Sequence, residues 1–197
     1  MAADIQLDPA RTAVLSMDLQ AGIVAMYAGG QDTLIQRAAG VLQHCREKGI
    51  RVIHVRVGFR AGLPEVSERN RLFGAIRNSP QHQKLFDGEA GAIHPALGPA
   101  EGDIVVTKHR VSAFAGTDLE MILRANGIET LVMFGLATSG VVLSTLLDAS
   151  DADYRLVVVK DCCGDLDPDL HTGLMEKLFP RRAAVVTSEE LLAAVSA

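Results

Sequence analysis

The sequence predicts an α/β protein of one domain spanning residues 1–197, with three α/β/α layers. A central, mainly parallel sheet of about six strands would be covered by helices on both faces in a Rossmann-like arrangement. Three observations carry this expectation. Six short, apolar, β-branched runs recur along the chain: "TAVLSM" (12–17), "IRVIHVRV" (50–57), "DIVVT" (103–107), "TLVMFG" (130–135), "RLVVVK" (155–160) and "AAVVT" (183–187). Most are apolar throughout rather than alternating, as strands covered on both faces require. Amphipathic stretches separate most of them, so strand and helix alternate as in βαβ units. Finally, 197 residues suffice for one sizeable core and fall short of two.

The helices follow in order. Residues 31–48 put Leu34, Ala38, Val41, Leu42 and Cys45 on one face and stop at Gly49. Residues 117–126 open on a Thr117…Glu120 capping box and stop at Gly127. Residues 139–151 and 168–179 come next, the latter with Pro168 in its first turn. A final short helix, "SEELLAAVS", closes the chain. The exception is 58–102, a long insertion in which only "EVSERNRLFGAI" reads as helical. A segment of that length with little structure is often functional, here covering a site or a partner surface.

Composition narrows the functional classes. The chain is 48% hydrophobic and 22% charged with a formal net charge of −5, and it carries no Lys/Arg stripe, which argues against a nucleic-acid partner. No window approaches the roughly 18 uninterrupted apolar residues of a membrane span. The opening "MAADIQLDPARTAV" sets two acids before any apolar run, unlike a signal peptide. Three cysteines, Cys162 and Cys163 adjacent, suit a reducing compartment, so the expected location is the cytoplasm.

Ligands of open α/β sheets gather at the carboxyl ends of the strands. There the sequence sets Asp18 and then Gln20, Arg56 and Arg60, Lys108-His109-Arg110, the Gly135–Ser139 turn, and Asp161-Cys162-Cys163. The residues after Asp18, "LQAGIV", do not read as a helix for it to cap. Asp18 and Lys108 at one rim can form a proton-shuttling pair or a structural ion pair. Cys45 belongs to a core face, whereas one of Cys162 and Cys163 is a candidate thiol. His82, His94, His109 and His171 show no metal-ligand spacing, so no metal is expected. "GLATSG" has the outline of a phosphate loop without the Lys-Ser/Thr that should follow, and G-x-G-x-x-G is absent. No nucleotide or other cofactor is expected.

Asp18 in "AVLSMDLQ", Lys108 in "DIVVTKHRVSAFAGTDLEMILRANGI" and the turn in "TLVMFGLATSGVVLSTLLDA" stand in an order and spacing that resemble the isochorismatase-like hydrolase superfamily, from residue 12 to about 187. Its members include nicotinamidases, carbamoylsarcosine and ureidoacrylate amidohydrolases, and isochorismatases. The resemblance implies a catalytic set of Asp, Lys and Cys, of which Asp18 and Lys108 match. The family turn G-x-x-T-x-x-C-V-x-x-T is matched by Gly135, Thr138, Val142 and Thr145, but Val141 occupies the position of the nucleophilic cysteine. The resemblance further implies a cis peptide at Leu136–Ala137, and a carbonyl-binding pocket of Ala137, Thr138 and Gly140 with the amides of 140 and 141 directed inward. The Asp/His ligands that nicotinamidases carry after strand two are replaced by "VRVGFRAGLP". It implies a homo-oligomer, a dimer or tetramer.

A valine attacks nothing, so a covalent thioester route is closed at this position. Isochorismatases cleave an enol ether without the cysteine, protonation of the vinyl carbon by the aspartic acid being enough to start the reaction. Three readings follow. In the first, the protein hydrolyses a small polar metabolite with Asp18 and Lys108, by acid catalysis or by activating water. Gln20, Arg56, Arg60, Arg110 and Phe114 are then the substrate-binding candidates, the arginines pairing with carboxylates. In the second, the protein is a noncatalytic member that binds a small molecule or a partner in the same pocket. A third assigns the nucleophile's role to Cys162 or Cys163.

Overall fold

A computed structural model describes residue 5 and residues 7–27 and 32–196. In chain order the elements are β1 (Thr12–Met17), α1 (Ala21–Tyr27), α2 (Asp32–Glu47), β2 (Arg51–Val57), α3 (Arg71–Arg77), α4 (Pro80–Gln83), β3 (Ile104–Lys108), α5 (Leu119–Ala125), β4 (Thr130–Gly135), α6 (Leu143–Asp151), β5 (Arg155–Val159), α7 (Pro168–Gly173), β6 (Ala184–Val186) and α8 (Ser188–Ser196). The strands form one sheet in the order β3-β2-β1-β4-β5-β6, every pair parallel. Every residue of β1 and β4 is buried. Only a sheet covered on both faces buries its central strands so completely, which is why these runs are apolar at successive positions.

The order of the strands locates the site. From β1 the chain adds β2 and β3 on one side, then returns to set β4 against the other edge of β1 and moves outward through β5 and β6. The switch point lies between β1 and β4, and a crevice opens beyond the carboxyl ends of strands that diverge in this way. Asp18 follows β1 there, and the Gly135–Ser139 turn follows β4.

Several local expectations are met and others are corrected. Leu34, Ala38, Val41, Leu42 and Cys45 of α2 are all buried, and the helix ends at Gly49, whose φ of +74° suits glycine. Gln31, where that helix was expected to open, lies outside the described residues. Asp167 caps α7 by accepting from the amides of Asp169 and Leu170 (3.0 Å each), with Pro168 in the first turn.

The stretch after Asp18 does form a helix, α1, which the sequence did not suggest. The expected capping box is not formed. The Thr117 hydroxyl instead donates to the Ala113 carbonyl (2.6 Å) and accepts from the Leu119 amide (3.2 Å), so the regular helix starts at Leu119. Within 58–102 the helical stretch begins only at Arg71, because the Asn70 side chain takes the Phe73 amide (3.1 Å) and fixes the helix start there. The helix expected from 139 opens as a wide turn over Thr138–Val142, interrupted by nonhelical Gly140, before α6 proper. Among the described residues no helix is long and apolar enough to cross a membrane.

Gly135 is the tightest backbone position of the switch point. It has a φ of +152°, and a Cβ there would stand 2.0 Å from the Met17 carbonyl oxygen of the neighbouring strand. Gly135→Ala is therefore expected to destabilise the fold by about 2–4 kcal/mol, since either the β1–β4 pairing or the turn must give way. Urea unfolding followed by circular dichroism measures this; a loss below about 0.5 kcal/mol contradicts it.

Candidate active site

Asp18 stands at the first position beyond β1. Its amide donates to the Val55 carbonyl (2.8 Å), continuing the β1–β2 pairing by one residue, and its φ of +55° then turns the chain out of the sheet. Aspartate tolerates this left-handed conformation better than most residues. Lys108 ends β3, on the far side of β2, where it stands in register with Val57. Its long side chain therefore passes over the end of β2 to reach Asp18. Nζ lies 2.8 Å from Asp18 Oδ2 and donates to the Arg110 carbonyl (3.0 Å).

Both side chains are more than nine-tenths buried. Asp18 Oδ1 is also buried and has no hydrogen-bond partner among the described residues. Burial pushes the Asp18 carboxyl above its ordinary value, while the charge and hydrogen bond of Lys108 pull it down; burial is the larger effect. One oxygen is thus held by the lysine, and the other has no partner among the described residues.

The turn after β4 forms the opposite side. The Leu136–Ala137 peptide is cis, as the resemblance implies. The Thr138 amide donates to the Gly164 carbonyl (2.8 Å), and its buried hydroxyl lies within hydrogen-bond distance of that carbonyl (3.1 Å) and of His171 Nδ1 (2.8 Å). Asp165 accepts from the Ser139 amide (2.7 Å). The Gly140 amide donates to the Ala137 carbonyl (3.1 Å), which engages one of the two amides expected to face inward. Val141 is buried.

Asp18, Lys108, Leu136, Ala137, Gly140 and Val141 line one cavity of about 320 Å³. Most of its remaining wall comes from α1 through Ile23, Met26 and Tyr27, and from the 58–102 segment through residues including Phe73, Ile76, Leu85 and Phe86. The sequence named none of these residues, although it expected the 58–102 segment to cover a site or a partner surface. The one signal that could have found them was the apolar spacing of Leu72, Phe73 and Ile76 inside the long insertion.

The other candidates do not line the cavity. Gln20 is fully buried and acts as a brace, its Nε2 donating to the carbonyls of Val57 (3.0 Å) and Gly91 (2.8 Å) and its Oε1 accepting from the Val57 amide (2.7 Å). Thr138 lies behind the turn it holds. Arg56 Nε donates to Thr107 Oγ1 (3.2 Å), and Arg60 pairs with Glu65 (3.8 Å). Arg110 donates to the carbonyls of His109 (2.6 Å) and Glu65 (2.9 Å), and its guanidinium sits 5.8 Å from the centre of the Phe73 ring. Phe114 packs on Tyr154.

The cysteine alternative finds no support in this geometry. Cys45, Cys162 and Cys163 are buried and line no part of the cavity. Burial pushes the thiols of Cys45 and Cys163 up to about 12, and that of Cys162 further, so none holds a thiolate near neutral pH.

The sequence pattern of the Isochorismatase domain matches residues 12–190. This chain belongs to the isochorismatase family. The isochorismatase family protein YecD of Escherichia coli is 34% identical over 195 residues, 97% of this chain and 100% of YecD. The maleamate amidohydrolase of Pseudomonas putida is 28% identical over 92% of this chain and 85% of its own length. Among solved structures, an isochorismatase family protein from Burkholderia thailandensis superposes with a TM-score of 0.82 at 32% identity, covering 98% of both chains. The family match and these relatives make this chain an isochorismatase-family hydrolase.

The buried pair yields a prediction. Lys108→Met removes the cation that pulls the Asp18 carboxyl down, so the carboxyl should hold its proton to higher pH than in wild type and the protein should lose about 3 kcal/mol. Carbonyl-stretch infrared difference spectra and urea unfolding read the two effects; a variant as stable as the wild type contradicts the prediction.

Proposed function

We propose that the protein hydrolyses a small molecule through Asp18 and Lys108, with water rather than a cysteine as the nucleophile. The observation that carries this reading is an unpartnered Asp18 Oδ1 in the same cavity as Val141, the residue at the position that the resemblance assigns to the nucleophile. Burial favours the protonated carboxyl, and with Oδ2 held by Lys108 the proton belongs on Oδ1, where it can reach the substrate.

In the reaction Asp18 gives that proton to the substrate as the scissile bond breaks. Water adds to the electrophilic carbon and returns a proton to the carboxylate, so one water is consumed and Asp18 ends protonated. Lys108 orients the carboxyl and stabilises it in the interval when it is charged. The activity named for the maleamate amidohydrolase relative supports a C–N bond as the bond cleaved. Val141 itself favours a second reading, a pocket that binds a small molecule without turnover.

A mass-spectrometric turnover assay over a pooled panel of small amides, carbamoyl compounds and enol ethers separates the two. Loss of a compound with wild type and at least a hundredfold less with Asp18→Asn is expected. A compound that raises the melting temperature yet returns intact after long incubation supports the binding-only reading instead. Iodoacetamide should leave turnover unchanged.

The pH profile follows from the direction of the Asp18 shift. A proton donor raised above the ordinary 3.8 works at low pH and fails as pH climbs through its higher value. The same shift makes the folded state lose stability over that window, because the folded protein binds the proton more tightly than the unfolded chain. A kcat/KM that is flat at low pH and falls on the alkaline side is expected. A rate that rises through the same window overturns the acid role.

A further inference from the structure

The cavity says what kind of molecule it takes. Among the described residues Lys108 is the only Lys or Arg side chain in its lining, and that ammonium is already committed to Asp18 and to the Arg110 carbonyl. The arginines that sequence suggested for substrate carboxylates are held elsewhere: Arg56 on Thr107, Arg60 against Glu65, and Arg110 on two carbonyls behind the Phe73 ring. His82 stands exposed, and Tyr27 offers a neutral phenol. The rest of the wall is hydrocarbon, from Ile23, Phe73, Ile76, Leu85, Phe86 and Val141.

A carboxylate entering this space gives up its hydration and meets no free cation in exchange. A hydrocarbon entering it loses nothing and releases water. At about 320 Å³ the space equals roughly ten water molecules in volume, at the small end of ligand cavities.

We infer that the substrate presents an uncharged, apolar body to the wall formed by α1, α3 and the segment up to Phe86, with its hydrolysable group alone at the Asp18 end. This rests on the hydrolytic reading above for the fate of that group, but not for the character of the body. It replaces the expectation of a polar, carboxylate-bearing metabolite. Val141 contributes to the same preference, since its methyl groups continue the hydrocarbon surface to within the reach of the reacting group.

The test is calorimetric titration of the wild-type protein with straight-chain primary amides from acetamide to hexanamide, and with succinamate, the counterpart of butyramide in which a carboxylate replaces the terminal methyl. Affinity should tighten roughly fourfold for each added methylene until the cavity fills, and butyramide should bind at least tenfold more tightly than succinamate. A flat series, no binding by any neutral amide, or succinamate binding as tightly as butyramide overturns the inference. Ile76→Ala, at a partly buried position of α3 outside the buried core and with its fold checked by circular dichroism, should weaken hexanamide at least threefold and leave acetamide unchanged; equal hexanamide binding counts against it.

Mass analysis of the recovered ligands keeps the two readings apart. Amides that bind with the expected slope and return intact uphold the inference and count against amide hydrolysis. Succinamate consumed without any chain-length dependence does the reverse.

Discussion

A carboxyl and an ammonium removed together from water at the rim of a parallel sheet form the constraint on which the site depends. Such a pair is tolerable only where the geometry is fixed and the remaining donors are satisfied. Asp18 is fixed by its pairing with Val55 and by its left-handed backbone, and Lys108 by the register of β3 on β2 and by the Arg110 carbonyl. Gln20 closes the end of β2 beneath the lysine's path, satisfying both the amide and the carbonyl of Val57. Even so the arrangement leaves Oδ1 without a partner, and a buried polar atom left open beside a cavity is where chemistry gathers.

The turn after β4 is organised without reference to the side chain at position 141. Gly135 admits the close approach of Met17, Thr138 ties the chain to Gly164 and His171, and Asp165 takes the Ser139 amide. These contacts come from the backbone and from residues facing away from the cavity. A valine is therefore accommodated at the position that the resemblance assigns to the nucleophile, with the rest of the frame intact. The frame and the nucleophile are separable, and so retention of the frame is not by itself evidence for thioester chemistry.

How much of this was legible in the sequence depends on which force decides each feature. Burial decided the strands, and the six apolar runs announced them within a residue or so. The Asp18–Lys108 pairing was legible as two charges at strand ends, because a parallel topology brings those ends to one edge. The arginines were not legible. Arg110 finds carbonyls and an aromatic ring rather than a ligand, and nothing in "KHR" distinguishes those fates. The hydrocarbon wall was hidden for a related reason: Phe73 and Ile76 on α3 carry the same apolar spacing whether they face a core or a cavity. Helix α1 escaped because its seven residues include glycine and a β-branched pair, poor helix formers that tertiary contacts from the 90–92 segment hold in place.

The acidity of Asp18 and the hydrocarbon wall are one feature seen from two sides. The carboxyl is raised because burial keeps water from it, and Ile23, Val141 and Phe73 line the cavity that it shares. An apolar ligand body filling the space expels the remaining water and extends the same desolvation, while a charged body would draw water in and restore the ordinary acidity. In the proposed reading, selection of an uncharged molecule and the holding of a transferable proton thus require the same lining. A polar substitution in the wall would weaken both together, which ties specificity to reactivity through the dielectric of the cavity rather than through any single contact.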